Sequence, residues 1–177
     1  MTPHKFIRTM ALSISAMIGA VVALIFTSSA AASPSSSHTR TDRVITWKND
    51  YFHGQYLQIS HSSTSDNAWT EVRHGPGDAN EHWDSIYLGN GQYAFKNLNS
   101  HKCLTEFNPN TPGRHVIQRG CERYPTSRRW TQRHIPGTHF YQLYPVGGDG
   151  TLAACADIHT RWVTMGNVAE NVACFWY

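Results

Sequence analysis

A repeat with a period near 47 residues runs through most of the chain, and it restricts the possible folds more than any other feature. Tyr56 and Cys103, Trp69 and Val116, and Trp83 and Trp130 each stand 47 positions apart, and Trp130 and Trp176 stand 46 apart. Trp69, Val116 and Trp162 each precede the next of these tryptophans by 14 positions. The segments match as TWKND, QYLQI, WTEVRH and NEHW; AFKNL, KCLTE, VIQRGC and SRRW; and YQLYP, ACADI, WVTMGN and ACFW. The third departs somewhat, with a longer glycine-rich loop before Cys155 and a shorter connection after it. A unit of this size cannot bury a core alone, but three packed about a pseudo-threefold axis can share one. Turn residues punctuate short apolar runs throughout, among them Asn90-Gly91, Pro112-Gly113 and Pro136-Gly137, which is an all-β pattern. Four strands per unit give about twelve, in repeats at about 43–88, 91–135 and 138–177. Trp83, Trp130 and Trp176 are expected to fill the shared interior.

The N-terminal stretch stands outside this pattern. Lys5 and Arg8 precede an apolar run at 10–26 broken only by Ser13 and Ser15, and Ala30-Ala31-Ala32 follows. That order predicts a secretory signal peptide over 1–32. The alternative, an uncleaved anchor, has a run at the short limit for crossing a bilayer. Residues 33–42 (SPSSSHTRTD) are polar and predict a flexible leader. The exported chain, 33–177, keeps 13 basic against 12 acidic residues. This balance calls for neither nucleic acid nor an anionic membrane, and no second apolar run is long enough to span one. All four cysteines lie in the second half, and export to an oxidising compartment predicts two disulfides. Three pairings are possible. Cys103–Cys121 and Cys155–Cys174 would close two loops of similar short length, each stabilising by roughly 3 kcal/mol on the chain-entropy estimate.

The second repeat carries a more specific pattern. Asn97-Leu98-Asn99-Ser100-His101-Lys102-Cys103-Leu104 is followed by Cys121 and then Arg128-Arg129-Trp130. This resembles the ricin B-type β-trefoil lectins (R-type lectins), over about residues 44–177. The first repeat lacks both cysteines, and the third keeps Cys155-Ala156-Asp157-Ile158. The Gln-x-Trp of that family is changed in all three places, to Glu81-His82-Trp83, Arg128-Arg129-Trp130 and Cys174-Phe175-Trp176. Because Cys174 stands in the register of that glutamine, a Cys155–Cys174 disulfide would be displaced from the family position. The resemblance implies a β-trefoil, and in each active repeat a sugar held by three features. These are an Asp two residues after the first Cys, an aromatic near the second, and a polar pair before the last Trp. The corresponding positions are Gln58, Val72 and Asn80-Glu81; then Thr105, Arg119 and Ser127-Arg128; then Asp157, Met165 and Ala173-Cys174. No repeat keeps the full set. Asp157 is the one acid in place, so a weak sugar site is expected at the third repeat through Asp157, with His159 and Trp162 beside it. A turn-capping Asp157 and a core Trp162 are the structural alternatives.

Other chemistry finds little support. The eleven histidines show no HExxH and no i, i+4 pairing, so no metal site is predicted. GxSxG, P-loop and GxGxxG patterns are missing, and Asp78, Glu81 and Asp84 have no acid evident opposite them. Neither an enzyme nor a cofactor is predicted. Arg119, Arg128 and Arg129 fall in the most basic stretch and predict a docking patch for an acidic partner or a sialylated or sulfated glycan. The expected role is a secreted binding module for a glycan or polysaccharide. The competing reading is a trefoil subunit acting through contacts with a secreted protein partner, as in cytolethal distending toxins. A protease inhibitor fits less well, because 147–151 is too rich in glycine for a rigid inhibitory loop.

Overall fold

The computed structural model describes residues 43–75, 77–108, 110–168 and 172–177; the signal peptide predicted at 1–32 and the leader predicted at 33–42 lie outside the described residues. The strands are β1 (Arg43–Ile45), β2 (Lys48–Asn49), β3 (Gln55–Ile59), β4 (Thr70–Arg73), β5 (Trp83–Gly89), β6 (Gln92–Asn97), β7 (Cys103–Glu106), β8 (Val116–Arg119), β9 (Trp130–His134), β10 (Tyr141–Pro145), β11 (Leu152–Ala156) and β12 (Val163–Asn167). Among the described residues the helical pieces are single 3-10 turns. The β5–β6 connection is the hairpin expected at Asn90-Gly91. Both residues have positive φ, 53° and 71°, as a two-residue turn matched to strand twist requires.

The strands pair antiparallel in the order β1-β5-β6-β9-β10. Trp176 closes this ring into a barrel by bridging both Tyr141 and Asn49. Lys48 and Tyr177 exchange backbone hydrogen bonds of 2.8 and 2.9 Å at the same seam. Closure leaves the barrel few free edges. Three hairpins, β3–β4, β7–β8 and β11–β12, lie outside the barrel ring. They are joined by three bridges, Trp69 with Ile117, His115 with Thr164, and Glu71 with Trp162. Each bridge links a different pair of hairpins, so together they run once around an axis. This is a β-trefoil.

The predicted core tryptophans occupy equivalent places. Trp83, Trp130 and Trp176 are fully buried. Their indole N–H groups donate to the carbonyls of Leu57, Leu104 and Ala154 at 3.0, 3.0 and 2.9 Å. A second layer is formed by Trp47, Phe95 and Leu143, all buried in the same cluster. Trp47 meets Phe95 edge-to-face at 5.8 Å, a favoured aromatic geometry. Asn97 sends its side-chain amide to the carbonyl of Asn80 at 2.7 Å, and Asn49 sends its own to Ala173 at 2.7 Å. Both ties pin the turn before a core tryptophan.

These bonds also fix the register between repeats, and it differs from the sequence alignment in two places. The indole acceptors make Leu57, Leu104 and Ala154 equivalent. Cys103 therefore matches Tyr56 and Ala153, while Cys155 matches Gln58 and Thr105. The three inter-hairpin bridges make Trp69, His115 and Trp162 equivalent, where the sequence spacing pointed to Val116. Val116 is a core residue, but its counterparts are Thr70 and Val163. The disulfides are Cys103–Cys121 and Cys155–Cys174, with Cα separations of 5.1 and 3.9 Å. The second is displaced by two residues along its strand relative to the first.

Candidate functional site

The three family-type sugar positions are filled or diverted. In the first repeat Gln58 donates to Glu71 at 3.2 Å, Val72 is fully buried, and buried Glu81 accepts from the Gly77 amide at 3.2 Å. In the second, Thr105 is buried and donates to the carbonyl of Cys103 at 2.8 Å. In the third, the positions equivalent to Gln58 and Glu81 are Cys155 and Cys174, which are covalently joined. Met165 there is fully buried. A disulfide thus stands where the resemblance placed an acid and its polar neighbour.

Asp157 lies two residues further on, at the tip of the β11–β12 hairpin. Its Oδ1 accepts from the amides of His159 and Thr160 at 2.9 and 2.8 Å. Its own amide donates to Trp162 and its carbonyl accepts from Arg161, both at 2.8 Å. The Thr160 amide and then that of His159 hold the carboxyl below its ordinary range, against the opposing effect of burial. This is the geometry of an Asx-type turn. Asp157→Ala should lower stability by about 1 kcal/mol in urea unfolding, and Asp157→Asn by less, because the amide oxygen can still accept. The His159 side chain is exposed.

Trp162 belongs to a different assembly. Where the hairpins meet at the axis, Trp69 stacks on His115 with ring centroids 3.9 Å apart, and Trp162 meets Trp69 edge-on at 5.0 Å. The sequence spacing favoured a core role for Trp162, but these rings lie at the surface. Trp69 is 44% exposed, and Trp162 and His115 are partly buried. Burial lowers the His115 pKa, with the Asp157 charge opposing. Its Nδ1 is buried without a hydrogen-bond partner.

Trp69 lines two cavities. One, of about 460 Å³, is bounded by Asn67, Phe107, Arg114, His115 and Arg119. The other, of about 450 Å³, is bounded by Ser60, His61, Ser63, Asn67 and Trp162. Phe107 is 55% exposed, with the Arg119 guanidinium 5.3 Å from its ring centre. Arg119 Nε donates to Asn67 Oδ1 at 2.8 Å.

The predicted arginine patch divides. Arg119 faces the axial cavity, whereas Arg129 donates to the Tyr124 carbonyl at 2.7 Å and Arg128 pairs with Glu122 at 3.6 Å. The axial cluster as a whole escaped sequence reasoning, since its members come from three hairpins and one of them is a histidine in a tryptophan register.

Residues 37–118 match the family model described as ricin-type beta-trefoil lectin domain-like. No curated protein matches the chain in sequence. Among solved structures it is similar to the designed threefold-symmetric protein ThreeFoil, at 22% identity and TM-score 0.67, covering 75% of this chain and 95% of that one. The Rhizoctonia solani agglutinin matches at 13% identity and TM-score 0.64, over 76% of this chain and 92% of that one. An exo-beta-1,3-galactanase from Clostridium thermocellum matches at 18% identity and TM-score 0.65, over 77% of this chain but 29% of the enzyme. Residues 37–118 are thus similar to the ricin-type β-trefoil lectin-like domains, and the described residues carry the trefoil fold through to Tyr177.

Proposed function

We propose that this protein is a secreted, non-catalytic glycan-binding module that takes its ligand at the axial aromatic cluster. The observation that carries the reading is Trp69, an exposed indole between two open cavities. A pyranose buries its apolar C–H face against such a ring while its hydroxyls meet polar groups at the rim. Asn67 and Ser63 supply those groups. The third repeat contributes through Trp162, and Asp157 acts by shaping its hairpin. Two disulfides and the signal-peptide pattern at the N-terminus support export.

A single shallow site of this kind binds at around millimolar strength, about 4 kcal/mol. Glycan-array binding at high protein density, followed by calorimetric titration of the best oligosaccharide, should detect it. Trp69→Ala should weaken binding about tenfold, and Trp69→Phe should retain most of it. Equal binding by wild type and Trp69→Ala would discard this site. A stoichiometric protein partner recovered from the native secretome, with no glycan retained, would favour the subunit reading instead; the exposed Phe107 and Ile158 are the contacts such a partner would cover.

A further inference from the structure

The two cavities beside Trp69 differ in chemistry. Arg114 and Arg119 line the first, and no carboxylate lines its wall. Among the described residues neither arginine is ion-paired, since the salt bridges there join Arg73 to Glu71, Lys102 to Asp66, and Arg128 to Glu122. Arg119 is also pre-oriented, with its Nε on Asn67 and its plane near Phe107. The second cavity has no Lys or Arg in its lining. It is lined by Ser63 and by Ser60, whose buried hydroxyl bonds the His61 ring at 2.8 Å, beside the rings of Trp69 and Trp162. Asp157, whose charge acts on His115, has its Oδ1 turned back onto its own hairpin amides.

We infer that the cavities are paired subsites for an anionic glycan. A sugar bearing a carboxylate or sulfate lies against Arg114 and Arg119, and a neutral sugar lies on the far side of Trp69 against Ser63 and Trp162. This rests on the glycan-binding reading and adds the ligand class. Unpaired arginines suit the purpose because a planar guanidinium can donate two parallel hydrogen bonds to a carboxylate or sulfate. Contact across Trp69 requires at least a disaccharide in which acidic and neutral rings alternate.

The test is calorimetric titration of the full exported chain with four probes. These are a hyaluronan tetrasaccharide, its carboxyl-reduced form, a chondroitin sulfate tetrasaccharide and neutral tetra-N-acetylchitotetraose. The acidic probes should bind about tenfold more tightly than their neutral counterparts at low salt, with the preference shrinking as ionic strength rises. Chondroitin sulfate carries sulfate in addition to the uronate carboxylate, so tighter binding of it than of hyaluronan reports a sulfate contribution, and equal binding assigns the contact to the carboxylate. Arg114→Gln/Arg119→Gln should abolish the preference, while Arg43→Gln, at the start of β1, should retain it. Acidic and neutral probes bound equally, or a preference that survives the double substitution, would overturn the inference and leave the glycan-binding reading standing. If no probe binds and a broad glycan array is also blank, both fall together.

Discussion

Glu106→Gln should flatten the pH dependence of stability between about pH 4.5 and 7, and should make the protein more stable than wild type at pH 8. Glu106 ends β7 with its side chain turned inward, 4% exposed, at the place held by Ile59 and Ala156 in the other repeats. Its Oε2 is buried with no hydrogen-bond partner. Burial raises its pKa from 4.5 to about 7. The folded state therefore binds a proton more tightly than the unfolded chain does. The stabilising contribution is fully present below pH 4.5 and is lost as pH rises through about 7. The difference corresponds to about 3 kcal/mol as an upper figure. Urea unfolding of both proteins from pH 4 to 8 measures it, and subtracting one curve from the other removes the common contribution of the histidines. Parallel curves would show that the carboxyl is solvated or paired in solution. Because total stability of a domain is typically about 5–15 kcal/mol, such a shift would be visible in the unfolding midpoint.

The second large effect concerns the tryptophans that tie the repeats together. Trp130→Ala should cost about 3–5 kcal/mol, since it empties a fully buried site in a packed core. Trp130→Phe isolates the hydrogen bond within that cost. Phenylalanine fills part of the volume but leaves the Leu104 carbonyl without its indole donor, a loss of about 1–3 kcal/mol. The same pair of substitutions at Trp83 should give similar values, because the bond to Leu57 has the same length. Chemical denaturation with fixed slope provides the comparison. A phenylalanine variant as stable as wild type would mean that the indole bond contributes shape alone.

Much of the fold was legible because the informative features are periodic and local. Equal spacing of Trp83, Trp130 and Trp176 survives any change in loop conformation, and Asn90-Gly91 announces its hairpin through the backbone geometry that the residues themselves prefer. The site was less legible because it depends on register, which loop length alters. Ten residues separate the paired Ile59 and Thr70, nine separate Glu106 and Val116, and six separate Ala156 and Val163. Aligning Trp69 with Val116 instead of His115 is a slip of one residue, which in a strand moves a side chain from the surface to the core. Aligning Cys155 with Cys103 is a slip of two. It keeps the face but shifts the position by about 7 Å along the strand. That shift carries Asp157 away from the place held by Gln58 and Thr105 and onto a hairpin tip.

The amino-acid order alone determined the threefold architecture, the buried tryptophans and the cysteines available for cross-linking, because each follows from spacing along a single strand or unit. Only the folded molecule decided which faces meet at the axis. The stacking of Trp69 on His115, the approach of Trp162 and the meeting of Asn67 and Trp69 with Arg114 and Arg119 around one cavity arise between hairpins far apart in sequence. Their geometry is set by how three unequal loops pack against one another, and no local pattern encodes that.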